Sequence, residues 1–354
     1  MQGVQNLTSN PAANRAKKSL ARVIAISSGK GGVGKSSISL NLAIELARLK
    51  NKVCLFDADT NLGNINIMTG LTPDASLHNL LRGEKDLQQV LLEGPGGIKI
   101  LPAASGIMDF VSFNPAQQNQ MLDQLKILEQ QFDYVLIDTA AGINETVLSF
   151  LHAAPETIIT ITTEPTSLTD AFSLLKVLRK QGFDRPVQVV INKAATLQSA
   201  KDALSRFNGA LKKYLGLQVI APGYVLEDYH VARAIMRQQP FTLSFPKSPA
   251  SCCVRNFAHK VHDRVLHNET SLTDFLQAQQ SPAVSSLRAT ETGAYPWMET
   301  LIKSMQTAPF NEVEELMSTI TRVWMQRLDS ETRVTGQDNE AGFKAAIHFA
   351  SRLK

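Results

Sequence analysis

Gly29-Lys30-Gly31-Gly32-Val33-Gly34-Lys35-Ser36 follows the apolar run Val23-Ile24-Ala25-Ile26 and precedes the amphipathic stretch Ile38–Leu49. The quoted residues have the G-x-x-x-x-G-K-[ST] spacing of a phosphate-binding loop. Small residues are needed there because the backbone must wrap close around a β-phosphate with its N–H groups turned inward. Lys35 can place an ammonium against β and γ oxygens, and the Ser36 hydroxyl can ligate Mg2+. A strand before the loop and a helix after it aim the helix N-terminus at the phosphates. The pattern predicts a nucleotide site built from Gly29, Lys30, Gly31, Gly32, Val33, Gly34, Lys35, Ser36 and Ser37.

Outward from the loop, short apolar runs alternate with amphipathic segments from Arg22 to about residue 267. The expected strands are Arg22–Ser27, Lys52–Asp57, Ile98–Leu101, Tyr134–Asp138, Thr157–Thr162, Val187–Asn192 and Leu217–Ala221. Several are almost continuously apolar and rich in Val and Ile, as strands buried on both faces are. Between them lie helical patterns at Ile38–Leu49, Pro115–Gln131, Leu168–Gln181 and Ala200–Leu215. This alternation predicts an α/β fold of the P-loop NTPase class, with a mostly parallel, doubly wound sheet. Residues 268–296, rich in Ser, Thr, Gln and Ala, read as a linker. A helical C-terminal extension follows over 297–340, with segments at Trp297–Gln306 and Asn311–Leu328.

Two acidic motifs fall where such a site needs them. Asp57-Ala58-Asp59 ends the second strand and Asp138 ends Tyr134-Val135-Leu136-Ile137. Carboxylates at the carboxyl ends of parallel strands face the same crevice as the loop. Asp138 is suited to hold Mg2+ through a water, Asp59 to orient the attacking water, and Asp57 to support them. Taken singly, each Asp could instead be a helix cap or turn residue. Thr139-Ala140-Ala141-Gly142 has the small residues of a switch-like loop. Asn192 sits where an amide could read adenine through its donor and acceptor, or could simply make a turn.

Lys30, directly after the first glycine, would by itself be a solvated loop lysine. Together with Gly31–Ser36, Asp57-Ala58-Asp59 and Asp138-Thr139 it resembles the deviant loop of the MinD/ParA-type ATPases. The resemblance extends over about residues 22–267 and is nearest to the flagellar-number regulators FlhG and FleN. That branch is suggested by Gly94-Pro95-Gly96-Gly97, by 101–106 (Leu-Pro-Ala-Ala-Ser-Gly), by Asp138–Gly142 and by 164–171 (Glu-Pro-Thr-Ser-Leu-Thr-Asp-Ala). Asn66 stands where the family usually has an acid and Leu226 where it has proline, while Asp228 fits.

The resemblance implies an ATP- and Mg2+-dependent ATPase that forms an ATP-dependent homodimer. Lys30 would reach across the dimer to the partner's phosphates, and Lys30, Lys35 and Asp59 would be the catalytic group. It further implies a FleQ-like flagellar transcription activator as partner, with the GTPase FlhF as another. The alternatives are a MinD-like division or ParA-like cargo-positioning ATPase, and a nucleotide-gated binding protein with negligible turnover. An iron–sulfur reductase sharing this loop needs two suitably placed cysteines, which Cys54, Cys252 and Cys253 do not supply.

Composition points the same way. The 36 Lys and Arg exceed the 32 Asp and Glu, giving a formal charge of +4, but the excess lies at the two ends. Residues 1–21, a basic arm, continue into Arg22 with Arg15, Lys17 and Lys18 and no acid. A mildly acidic body argues against specific nucleic-acid binding. Residues 341–354 place Phe343, Ile347, Phe349 and Leu353 on one helical arc and Lys344 and Arg352 opposite. That is the form of an interfacial membrane helix that meets anionic inner-membrane lipids, or of a terminal helix packed on the domain. With no secretory signal pattern and three unpaired cysteines, the expected location is cytoplasmic, reversibly peripheral on the inner membrane.

Overall fold

The structure, a computed structural model, describes residues 20–59, 64–82, 84–102 and 115–264. The strands are β1 (Arg22–Ser28), β2 (Val53–Ala58), β3 (Leu92–Glu93), β4 (Lys99–Leu101), β5 (Tyr134–Ala141), β6 (Glu156–Ile161), β7 (Val187–Ala194) and β8 (Val219–Leu226). The longer helices are α1 (Lys35–Arg48), α5 (Pro115–Gln131), α6 (Glu145–Ala153), α7 (Pro165–Lys180), α8 (Leu197–Leu215), α9 (Tyr229–Met236) and α11 (Pro249–His262). Short turns of helix fill the rest: α2 (Asn64–Thr69), α3 (Leu77–Leu81), α4 (Leu87–Val90) and α10 (Phe241–Ser244).

The strands form one sheet in the order β3-β4-β2-β5-β1-β6-β7-β8. Every pairing is parallel except β3 with β4 at the edge. The continuous apolar runs explain this arrangement, because their alternate residues feed two cores. Val23, Ala25, Phe56, Val135 and Ile137 pack on one face. Ile24, Ile26, Leu55, Leu136 and Ile158 pack on the other, with α1 and α11. Arg22 fastens the opposite edge from the loop: its guanidinium meets Glu156 at 2.8 and 2.9 Å and the Val261 carbonyl at 2.7 Å. That ties β1 and β6 to the end of α11.

Several expectations shift in detail. Strand β5 continues through Ala141, so Thr139, Ala140 and Ala141 are strand, and the turn begins at Gly142 with φ +98°. Strand β7 runs two residues past Asn192, and β8 spans Val219–Leu226 rather than ending at Ala221. Helix α1 starts at Lys35 instead of Ile38, because the lysine and two serines form its first turn. The arm over 1–19 and the segments 268–296, 297–340 and 341–354 lie outside the described residues. No described helix is long and apolar enough to cross a membrane.

Candidate functional site

The carboxyl ends of β1, β2, β5 and β7 converge on one edge of the sheet. Register places Asp138 beside both Ile26 of β1 and Asp57 of β2, so the loop after β1 hangs over two carboxylates. The loop can pass only as glycine at two points. A Cβ at Gly29 would lie 2.2 Å from the Asp170 carbonyl carbon, because the loop entrance touches the backbone of α7. Gly34 adopts φ +88°, and a Cβ there would lie 2.4 Å from Asn192 Nδ2. Gly34 caps α1 without a side-chain hydrogen bond, which leaves the first-turn N–H groups facing the cavity.

The two lysines of the loop point to different places. Lys35 is buried, with Nζ 2.9 Å from Oδ1 of Asp138, and the two side chains are 6% and 0% exposed. Ser39, one turn on, donates to the same oxygen at 2.8 Å. Lys30 turns outward, where Nζ lies 3.1 Å from Oε2 of Glu164 and 3.1 Å from the Thr166 hydroxyl. Its side chain is 41% exposed.

Asp57 is buried under this pair. Burial first, and then the charge of Asp138, pushes its carboxyl up to about 7, against the opposing pull of the Asp59 N–H and Lys35. Asp59 is half-buried: its N–H donates to Asp57 Oδ1 at 3.2 Å and its Oδ2 accepts from Asn64 at 3.4 Å. Asp138 Oδ2 is buried and lacks a hydrogen-bond partner. Lys35 Nζ lies 3.4 Å from the Ser36 hydroxyl as well as 2.9 Å from Asp138, so a hydroxyl and a carboxylate with an orphaned oxygen flank one ammonium, a hard-oxygen donor set that suits Mg2+. No described cluster of three or more His, Cys, Asp or Glu could hold a metal alone.

Asn192 donates one Nδ2 hydrogen to the Val33 carbonyl at 2.8 Å, which leaves its second N–H and its Oδ1 for a base. A cavity of about 1030 Å³ opens on the loop: residues 31–38, Asp59, Asn192 and Lys193 line one side. Ile67, Met68, Leu226, Tyr229 and Ile235 line the other, and Asp228 caps α9 there by accepting from the His230 N–H. Gly29 and Lys30 stand at the loop entrance and Asp57 and Asp138 beneath it, outside that lining. Sequence reasoning missed Ser39, Lys193 and the apolar wall, and it quoted Glu164 and Thr166 without assigning contacts to them. Ser39 was open to discovery from its spacing of four after Lys35. The wall was not, because it depends on where two short helices come to rest.

A family model described as an AAA domain matches residues 21–184. Antiactivator FleN of Pseudomonas aeruginosa is 37% identical over 240 residues, covering 68% of this chain and 86% of that one. Flagellum site-determining protein YlxH of Helicobacter pylori is 38% identical over 173 residues, 48% of this chain and 58% of that one. In fold, the chain is similar to one in the MinC:MinD cell division protein complex of Aquifex aeolicus, with a TM-score of 0.57 and 24% identity. That likeness covers 71% of this chain and all of the other. With its phosphate loop, paired lysines and strand-end carboxylates, the chain belongs to the MinD/ParA-type ATPases, close to the flagellar regulators FlhG and FleN.

Proposed function

We propose that this ATPase is an ATP-gated dimeric switch that regulates flagellar number and placement by restraining a FleQ-like transcription activator. The observation that carries the reading is the divergence of the two loop lysines. Lys35 is directed inward to its own phosphates, and Lys30 is directed outward, held among the described residues by the exposed groups of Glu164 and Thr166.

Lys35 leaves Asp138 for the β and γ oxygens when ATP binds, and the N–H groups of residues 31–36 cradle the phosphates. Ser36 and Asp138 would hold Mg2+, which would supply neutralisation of the charge that develops on the phosphates. Asn192 keeps the loop in place and offers Oδ1 to the adenine amino group. Asp59 orients the attacking water, with Asp57 supporting it through the Asp59 N–H. Catalysis is then positioning and charge stabilisation, completed when a second copy places its Lys30 at the phosphates.

The protein would act in the cytoplasm, with residues 341–354 attaching it reversibly to anionic lipids and FlhF as a further partner. Liposome co-sedimentation of the full chain and of one lacking 341–354 tests the attachment, and equal binding removes it. The switch itself is tested by Lys30→Ala. That variant should bind ATP as the parent does, stay monomeric, and fail to co-purify with the flagellar activator. A dimer formed by Lys30→Ala with ATP would refute the assignment of Lys30.

A further inference from the structure

The phosphate loop is gripped by two consecutive residues of β7. Asn192 Nδ2 holds the Val33 carbonyl at 2.8 Å, and Lys193 Nζ holds the Gly32 carbonyl at 2.8 Å. Consecutive side chains of a regular strand point to opposite faces, so both cannot ordinarily reach the same loop. Here the register of β7 with β8 slips between Ile191 and Ala194, and Lys193 adopts φ +54°. A non-glycine residue in that left-handed region is strained, and such strain persists only where the surroundings enforce it. The distortion turns the Lys193 stem toward the loop, so that a Cβ built on Gly34 would lie 4.0 Å from its Cε.

A peptide group is planar and trans, so its C=O and N–H point in opposite directions. Holding the Gly32 carbonyl toward β7 therefore sets the Val33 N–H away from β7, and holding the Val33 carbonyl does the same for the Gly34 N–H. The charge on Lys193 also polarises the peptide it grips, which makes that N–H a stronger donor to an anion. We propose that Lys193 is a positioning residue for the nucleotide phosphates: it keeps the Gly32–Val33 peptide oriented with its N–H toward the β-phosphate. This deepens the nucleotide-switch reading and rests on it.

The test is titration of a fluorescent ADP analogue into the full chain carrying Lys193→Met, Lys193→Gly or Lys193→Arg. Methionine keeps the stem without the charge, glycine relieves the backbone strain without supplying a donor, and arginine retains donors. Loss of one charge-assisted hydrogen bond should raise Kd about tenfold in the Met and Gly variants, with Arg much closer to the parent. KM for ATP should rise in step while kcat changes far less, as for an interaction lost equally from ground and transition states. The nucleotide-free Gly variant should unfold at or above the parent midpoint, because strain is relieved. Parental affinity in the Met or Gly variant overturns the proposal. So does equal loss in all three variants accompanied by a fallen unfolding midpoint, which would make Lys193 a prop of the fold. A parent chain that binds no ADP would instead overturn the nucleotide reading beneath it.

Discussion

The ammonium of Lys35 lies 2.9 Å from Oδ1 of Asp138, and both side chains are closed off from solvent. A buried pair of this kind is costly to break from one side, because the remaining charge keeps its desolvation penalty without its partner. Lys35→Ala should therefore do two things. It should abolish ATP binding, and it should lower the stability of the nucleotide-free protein by about 3 kcal/mol in urea unfolding. An unchanged urea midpoint would show that the pair is not held in solution.

The carboxyl of Asp57 gives the nucleotide-free protein a distinctive pH dependence. In the unfolded chain it loses its proton near the ordinary value of 3.8, whereas in the fold it does so at about 7. Between those values the folded state holds the extra proton, so stability falls as pH rises, then levels off above about 7. The contribution of one such group is at most about 1.4 kcal/mol per pH unit. Asp57→Asn should remove this part of the decline, read as the difference between the two proteins' urea midpoints at several pH values. Parallel curves for parent and variant would contradict the assignment.

Gly29 abuts the backbone of α7, with Asp170 and Ala171 occupying the space a side chain would need. Helix α7 cannot yield easily, since Leu174, Leu175 and Leu178 are buried in the core. Gly29→Ala should displace the loop instead, weakening nucleotide binding by roughly tenfold or more, the scale of overpacking in a tight site. Calorimetric titration with ADP measures it.

Lys30 and Glu164 form a pair exposed on both sides, 41% and 63% respectively. Such a surface pair contributes only about 0–1 kcal/mol, so Lys30 can exchange Glu164 for phosphates at little cost. Glu164→Gln should leave the unfolding midpoint nearly unchanged and lower the ATP concentration at which dimers form. Light scattering across an ATP titration would register the shift, and a shift to higher ATP would count against the exchange.

Much of this was legible in the sequence because it is local. The loop spacing named Lys35 and Ser36, and buried Val- and Ile-rich runs located seven of the eight strands and hence the crevice that gathers Asp57, Asp138 and Asn192. Strand ends were less legible: Thr139–Ala141 has the small residues of a loop but continues β5 by pairing with β2 and β1. Helices α9 and α11 escaped notice: α9 spans only 8 residues, whereas α11 was open to discovery from its start at Ser248-Pro249 and from Ala250, Val254, Phe257, Ala258 and Val261 at helical spacing. The reach of Lys193 to Gly32 could not be read at all, since it requires a left-handed residue and a register slip that no local pattern announces.

On the proposed reading, ATP rather than protein concentration makes the dimer, and hydrolysis through Asp59 undoes it. Asp59→Ala should bind ATP but fail to orient the attacking water, and so be held in the associated state. Sedimentation velocity of the Asp59→Ala chain with Mg2+ and ATP measures this directly. The expected result is a stable dimer with ATP and a monomer with ADP; a monomer in both nucleotides would contradict ATP gating.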